Sequence, residues 1–194
     1  MDTPVDKLTT SPVKTVSVNP KRFILWLFIV TIIMLFAALT SAYVVRKSAG
    51  NWVYFDLPTM FWITSAIIIA SSLAVEWAYW NAKKGNLPLV SMALFGALLL
   101  GFTFLVGQYM SWIQLVDHHV FFVGNPSGSF LYVLTGVHAF HLLTGIIFLI
   151  IVLISSLRKK IKPHKLLSLQ LFRIYWHFLG ILWIYLFIFL LFNH

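Results

Sequence analysis

The sequence predicts an all-α integral membrane protein with five transmembrane helices, the N-terminus cytoplasmic and the C-terminus external. Three observations carry this. Across 194 residues the mean hydropathy is +0.91, with 60% hydrophobic and only 10% charged residues, more apolar surface than an aqueous core can hide. Five apolar stretches are each long enough to cross a hydrocarbon layer of roughly 30 Å as a helix. The basic residues gather at the ends of those stretches, mostly on one side.

Residues 1–20 (MDTPVDKLTTSPVKTVSVNP) are polar, rich in Thr, Ser and Pro, and hold no apolar run. They predict a disordered cytoplasmic tail, and they lack the apolar core of a signal peptide. Residues 21–194 predict one five-helix bundle without an internal repeat or second domain. Lys21 and Arg22 precede the first span, 23–45, and Arg46 and Lys47 close it. A short loop leads to the second span, 59–82, which ends at Lys83, Lys84 and the turn residues Gly85 and Asn86. The third span covers 88–115. Asp117, His118, His119 and an NPSGS turn separate it from the fourth, 129–156. The basic segment RKKIKPHK (158–165) joins that to the fifth, 170–192, which carries no full charge beyond Arg173.

With the N-terminus inside, Lys7, Lys14, Lys21, Arg22, Lys83, Lys84, Arg158, Lys159, Lys160, Lys162, Lys165 and Arg173 are cytoplasmic. Only Arg46 and Lys47 are external, a strong positive-inside bias. Trp26, Trp52, Trp62, Trp80 and Trp112 lie near span ends, where indoles anchor at the interface. The net charge of +9 raises nucleic acid as a partner, but the basic residues flank spans and form no aromatic-interleaved patch, so none is expected. The absence of cysteine excludes disulfides, thiolate metal sites and thiol chemistry.

Function is sought among the polar residues inside the spans, because lipid offers them no partners. They are Glu76, Gln108, His138, His141 and His177. His138 and His141 are three apart and share one face of the fourth helix with Thr135. At about 1.5 Å rise per residue, Glu76, His141 and His177 reach similar depths and are expected to meet. Three uses of such a cluster stay open. A hydrogen-bond network would fasten the helices. A proton relay needs titratable groups from face to face, and the outer half offers only Gln108 and hydroxyls. A haem needs two axial ligands, which His141 and His177 would supply. No nucleophile–base pair, phosphate loop or metal motif stands out, and adjacent His118 and His119 read as a solvated loop.

GSFLYVLTGVHAFHLLTGIIFL (128–149) and YWHFLGILWIYLF (175–187) resemble the last two helices of subunit III of the haem-copper oxidases. WLFIVTIIMLFAALTSAYVV (26–45) and SSLAVEWAYWNAKKGN (71–86) are similar to two earlier helices of that family, and Gln108 with Trp112 to its Q-x-x-x-[WY] region. The resemblance covers nearly everything after the N-terminal tail, and five spans match the family's short form, without the first two of seven helices.

The resemblance implies a non-catalytic subunit of a cytochrome c oxidase in an energy-transducing membrane, the cytoplasmic or inner membrane of a bacterium. It would pack principally on subunit I, also meet subunit II, and support sustained oxygen reduction and proton uptake in aerobic electron transport. Haem and copper are expected in those partner subunits and none in this chain. Phospholipid binding is open, since one wall of the family's lipid cleft is missing, and so is membership of a respiratory supercomplex. A quinol oxidase or a nitric-oxide-reductase-associated complex is the alternative within the family; a small five-helix transporter, or a haem-binding cytochrome, is the alternative outside it.

The family pattern is not matched everywhere. Its intramembrane glutamate falls at Ile32, a common histidine at Glu76, and two acidic positions at Ser111 and Gly180, so no role resting on those carboxylates is carried over. His138, His141 and His177 match, and are carried over as structural or subunit-contact residues.

Overall fold

The computed structural model describes residues 19–50, 52, 57–158 and 166–193. Five helices make up the fold: α1 (Pro20–Ser48), α2 (Met60–Lys83), α3 (Leu87–Asp117), α4 (Pro126–Leu157) and α5 (Leu167–Asn193). All five are long and apolar enough to span a membrane. At about 1.5 Å per residue even the shortest outruns the roughly 30 Å hydrocarbon core.

Helices α1 and α4 start earlier than their apolar runs because their caps lie outside those runs. Asn19 accepts from the Lys21 backbone N–H at 3.2 Å, with Pro20 at the first helical position. Asn125 does the same for α4: its Oδ1 accepts from the Ser127 N–H at 2.9 Å and from the Ser127 hydroxyl at 2.6 Å, ahead of Pro126. NPSGS is therefore the first turn of α4 and not a turn before it. Asn followed by Pro leaves no orphan N–H at the proline and fixes a helical φ.

Three helices carry a left-handed residue one position past the cap: Gly50 (φ 85°) after α1, and one residue after each of α2 and α3. Gly85 (φ 76°) fills that role after α2, with the Asn86 N–H reaching the Asn81 carbonyl at 3.1 Å. His119 (φ 60°) fills it after α3, with the Val120 N–H reaching the Leu115 carbonyl at 2.9 Å. His119 is thus a helix stop, held in a conformation that most side chains avoid.

Helices α2, α3, α4 and α5 form a closed ring in which every neighbouring pair is antiparallel. Helix α1 lies outside the ring and, among the described residues, packs only on α4 and α5. It does so through one stripe, Ile29, Ile32, Phe36, Thr40 and Tyr43, at the three-and-four spacing of a single helix face. Of the apolar window of α5, 50% is buried, against 22% for α1, so α5 is the element the others gather on.

Indoles fasten the ring. Trp176 and Trp183, both fully buried on α5, donate to the hydroxyls of Ser71 and Ser65 on α2, each at 3.1 Å. The Trp176 ring fits only because its neighbours are small. A Cβ on Gly101 of α3 would lie 3.1 Å from it, and one on Gly145 of α4 3.4 Å. In lipid, where apolar burial drives no association between helices, such close approach and hydrogen bonds of about 0.6 kcal/mol each supply the cohesion.

Alternation puts Lys21, Arg22, Lys83, Lys84, Arg158 and Arg173 at one end of the bundle. Arg22 donates to Gln170 there at 2.9 Å. Arg46 and Lys47 lie at the other end, where Lys47 donates to the Asn193 carbonyl at 2.9 Å. The tail 1–18 and Lys159, Lys160, Lys162 and Lys165 lie outside the described residues. Trp26, Trp62 and Trp80 are exposed near helix ends. Trp112 and Trp52 depart from the anchoring expectation: Trp112 turns inward and donates to Thr135 at 3.0 Å, and Trp52 packs edge-on against Tyr43.

Candidate functional site

The ionisable groups meet between α2 and α5. Arg173 and His177 are four apart, so both project from one face of α5, and both reach the same oxygen of Glu76 on α2. Arg173 Nε donates to Glu76 Oε2 at 2.5 Å and His177 Nε2 lies 3.2 Å from it. Because a carboxylate only accepts, His177 carries a proton on Nε2. The three side chains keep a quarter to a third of their surface exposed.

Tyr79, one turn along α2, takes the Arg173 guanidinium at 4.4 Å and the Lys83 ammonium at 4.7 Å from its ring centre, a double cation–π contact. Its hydroxyl also meets Gln170 at 3.5 Å. The Gln170–Arg22 bond carries the chain of contacts on to α1, so the basic end of the bundle is laced from α1 through α5 to α2.

His141 does not join this cluster. Its Nδ1 lies 2.8 Å from the Val137 carbonyl, one turn back on its own helix, and its ring packs among Phe28, Phe36 and Phe140 toward α1. His138 turns the other way, edge-on to Phe104 of α3 and tilted against Trp183 of α5. A step of three residues leaves a residual rotation of about 60°. On a helix flanked by α1 on one side and by α3 and α5 on the other, that separates the two histidines. The expected meeting of Glu76, His141 and His177 is thus half met: His177 reaches Glu76, whereas His141 turns toward α1.

His138 and Gln108 are both fully buried, and none of their four polar side-chain atoms has a hydrogen-bond partner. Among the described residues, no three His, Asp or Glu side chains converge as a metal site would require. Arg173 is the member of this cluster that sequence reasoning did not place in it. It reads as the cation that opens the fifth span, although its spacing from His177 already puts the two on one face. The sequence likewise did not pair Thr144 with Tyr175. Their hydroxyls lie 2.7 Å apart across α4 and α5.

A groove of about 590 Å³ on the outer surface of the bundle runs from Glu76 and His177 to Ile188, lined by Ile68, Ser72, Gly180 and Ile181 among others. A second, of about 420 Å³, lies between α1 and α5. Ile181 and Tyr185 border both.

A model of the family described as cytochrome c oxidase subunit III matches residues 9–193. The chain belongs to that family. Cytochrome c oxidase subunit 3 of Corynebacterium diphtheriae is 30% identical over 164 residues, 80% of each chain. A probable cytochrome c oxidase subunit 3 of Nocardia farcinica is 29% identical over 160 residues, 80% of this chain and 79% of the relative. Cytochrome bo(3) ubiquinol oxidase subunit 3 of Buchnera aphidicola is 27% identical over 186 residues, 90% of this chain and 95% of the relative. As a subunit III of a haem-copper oxidase, the chain is an integral protein of the cytoplasmic membrane and part of a complex with other oxidase subunits.

Within this subunit III the departures from the family pattern acquire positions. Ile32, at the place of a family carboxylate, is buried in the α1 stripe against α4 and α5. Ser111 is buried and donates to the Gly107 carbonyl at 2.9 Å. Glu76 and Gly180 line the same groove. At position 76, where the resemblance sets a base, this chain has an acid, and it pairs with the matching His177 and with Arg173 on α5.

Proposed function

We propose that this chain is the non-catalytic third subunit of an oxygen-reducing complex that oxidises cytochrome c. It packs on subunit I beside subunit II, holds no haem or copper itself, and supports sustained oxygen reduction and proton uptake. Its N-terminus, with the tail 1–20, lies on the cytoplasmic side. The observation that supports this most is a family match over nearly the whole chain, joined to relatives of similar length named as cytochrome c oxidase subunits. In this reading Glu76, Gln108, His138, His141 and His177 are structural or subunit-contact residues and not ligands. The way the chain uses its polar groups agrees: Glu76 binds His177, and the buried indoles bind serines across helix pairs.

Oxidation of quinol in place of cytochrome c is the second reading. It is favoured by the ubiquinol oxidase relative, which aligns over a larger share of this chain than the corynebacterial one does.

Purification of the tagged chain from its native membrane in a gentle detergent tests both. Mass spectrometry is expected to find subunits I and II, with haem bands in the visible spectrum and oxygen consumption driven by reduced cytochrome c. Turnover with quinol alone would select the second reading, and a lone chain without haem would remove both. His177→Leu is expected to lower the yield of the complex while leaving the haem bands of what remains unchanged; altered bands would contradict the absence of a cofactor in this chain.

A further inference from the structure

The outer surface of the bundle is not uniform. On α3, the ring helix opposite α5, the exposed face is Phe95, Leu99, Phe102 and Val106. The hydroxyl of Thr103 there is already bonded to the Leu99 carbonyl at 2.9 Å. That face suits acyl chains. The sector of α5 between α1 and α2 is different. Helices α1 and α2 both pack on or beside α5 without touching each other among the described residues, which leaves a trough with α5 as its floor. The ridge of Ile181 and Tyr185 divides it into the two grooves of about 590 and 420 Å³.

Polarity singles the trough out. Glu76 sits seven residues, about 10 Å, inside the end of α2, yet it and its two partners are partly exposed there. Arg173 and His177 both use Oε2, and no hydrogen bond from the described residues reaches Oε1. The guanidinium is likewise bonded to the carboxylate only through Nε. Acyl chains satisfy neither group, and charged side chains inside a membrane face protein or a water-filled cavity.

Shape agrees with polarity. Gly180 and Ser72 line the larger groove and Ala37 the smaller, the small residues that let a second helix approach closely in lipid. A ridge between two grooves is also the relief into which a helix packs.

Resting on the reading of the chain as an oxidase subunit, we propose that the trough docks one transmembrane helix of a neighbouring, different oxidase subunit. That helix lies over Ile181 and brings a polar side chain to Glu76 Oε1 and the Arg173 guanidinium.

The chain has no cysteine, so single cysteines carry a benzophenone maleimide without background. Ile181→Cys and Ile69→Cys place the probe in the trough from α5 and α2, at positions 70% and 51% exposed, and Leu99→Cys places it on the opposite face at 54%. After irradiation of the intact complex in native membranes, positions 181 and 69 are expected to give adducts with the same partner subunit, and position 99 adducts with lipid alone. Lipid adducts or no adduct at both trough positions in an intact complex would overturn the proposal. An adduct with a second copy of this chain, or a partner found only from position 99, would overturn it as well. Mass spectrometry of the unlabelled complex separates the two levels: absence of every other oxidase subunit sinks the functional reading itself, whereas an intact complex with the wrong adducts sinks only this surface.

Discussion

Two polar sites in one bundle follow opposite rules. Between α2 and α5, Glu76, Arg173 and His177 are ionisable, mutually bonded and partly open to the surroundings. Inside the bundle, His138, packed on Phe104 of α3 and Trp183 of α5, and Gln108 of α3 are fully buried, and none of their polar side-chain atoms has a partner. The first site answers the cost of charge in a membrane with pairing; the second tolerates unpaired dipoles where a charge would be untenable. The contrast separates what each can do. An open, paired cluster has bonding capacity left for a neighbour. A closed, unpaired one can only be filled or left strained.

The comparison breaks most directly at Arg173. Arg173→Leu leaves Glu76 with His177 alone, and losing one member of an ion pair is costly because the survivor's charge stays desolvated. With a quarter of the Glu76 side chain still exposed, the expected loss is about 2 kcal/mol and not the full value of a buried pair. Unfolding of the purified chain in mixed micelles by increasing SDS measures it. The double replacement Arg173→Leu with Glu76→Leu is expected to recover most of that loss. A double variant as unstable as the sum of its single variants would mean that the pair does not hold α2 to α5.

His138 sharpens the comparison from the other side, with the opposite sign. His138→Phe keeps a ring of similar shape against Phe104 and Trp183 and removes two unpartnered nitrogens. A buried polar group without a partner costs about 1–3 kcal/mol, so the variant is expected to be neutral or more stable by about 1 kcal/mol in the same SDS titration. A loss of that size would show that an ordered water satisfies the imidazole, and the site would then be occupied and not strained.

How much of this was legible follows from the residues. The five helices were, because lipid demands long apolar runs and little else in the chain resembles them. Their starts at Pro20 and Pro126 were written as Asn-Pro, but NPSGS also reads as a turn, and only the Asn125 bonds to Ser127 decide between the two. Glu76 and His177 could be matched by depth. Depth carries no azimuth, however, so His141 was placed in the same cluster although it looks toward α1. Arg173 escaped because an arginine near a span end is normally topological. The exclusion of α1 from the ring was not legible at all: its run is as apolar as the others, and which stripe a helix buries depends on where its neighbours already stand.

The smallest expected effect separates the chain's own stability from its assembly. At Gly180 an added Cβ would meet the Ser72 hydroxyl at 3.1 Å and Ile68 at 3.8 Å. The nearer atom ends a rotatable side chain, and alanine is the better helix former by about 0.8–1.0 kcal/mol in an exposed helix interior. These terms oppose each other, so Gly180→Ala is expected to shift the SDS unfolding midpoint of the isolated chain by less than about 0.5 kcal/mol. Gly180→Leu, by contrast, projects a full side chain into the groove between Ser72 and Ile181. If that groove receives a helix of another oxidase subunit, the leucine variant is expected to lower the recovery of the complex in gentle detergent well below that of the alanine variant. Equal recovery from both would leave Glu76 and Arg173 facing lipid, and the distinction between an open site and a closed one would then have no consequence for assembly.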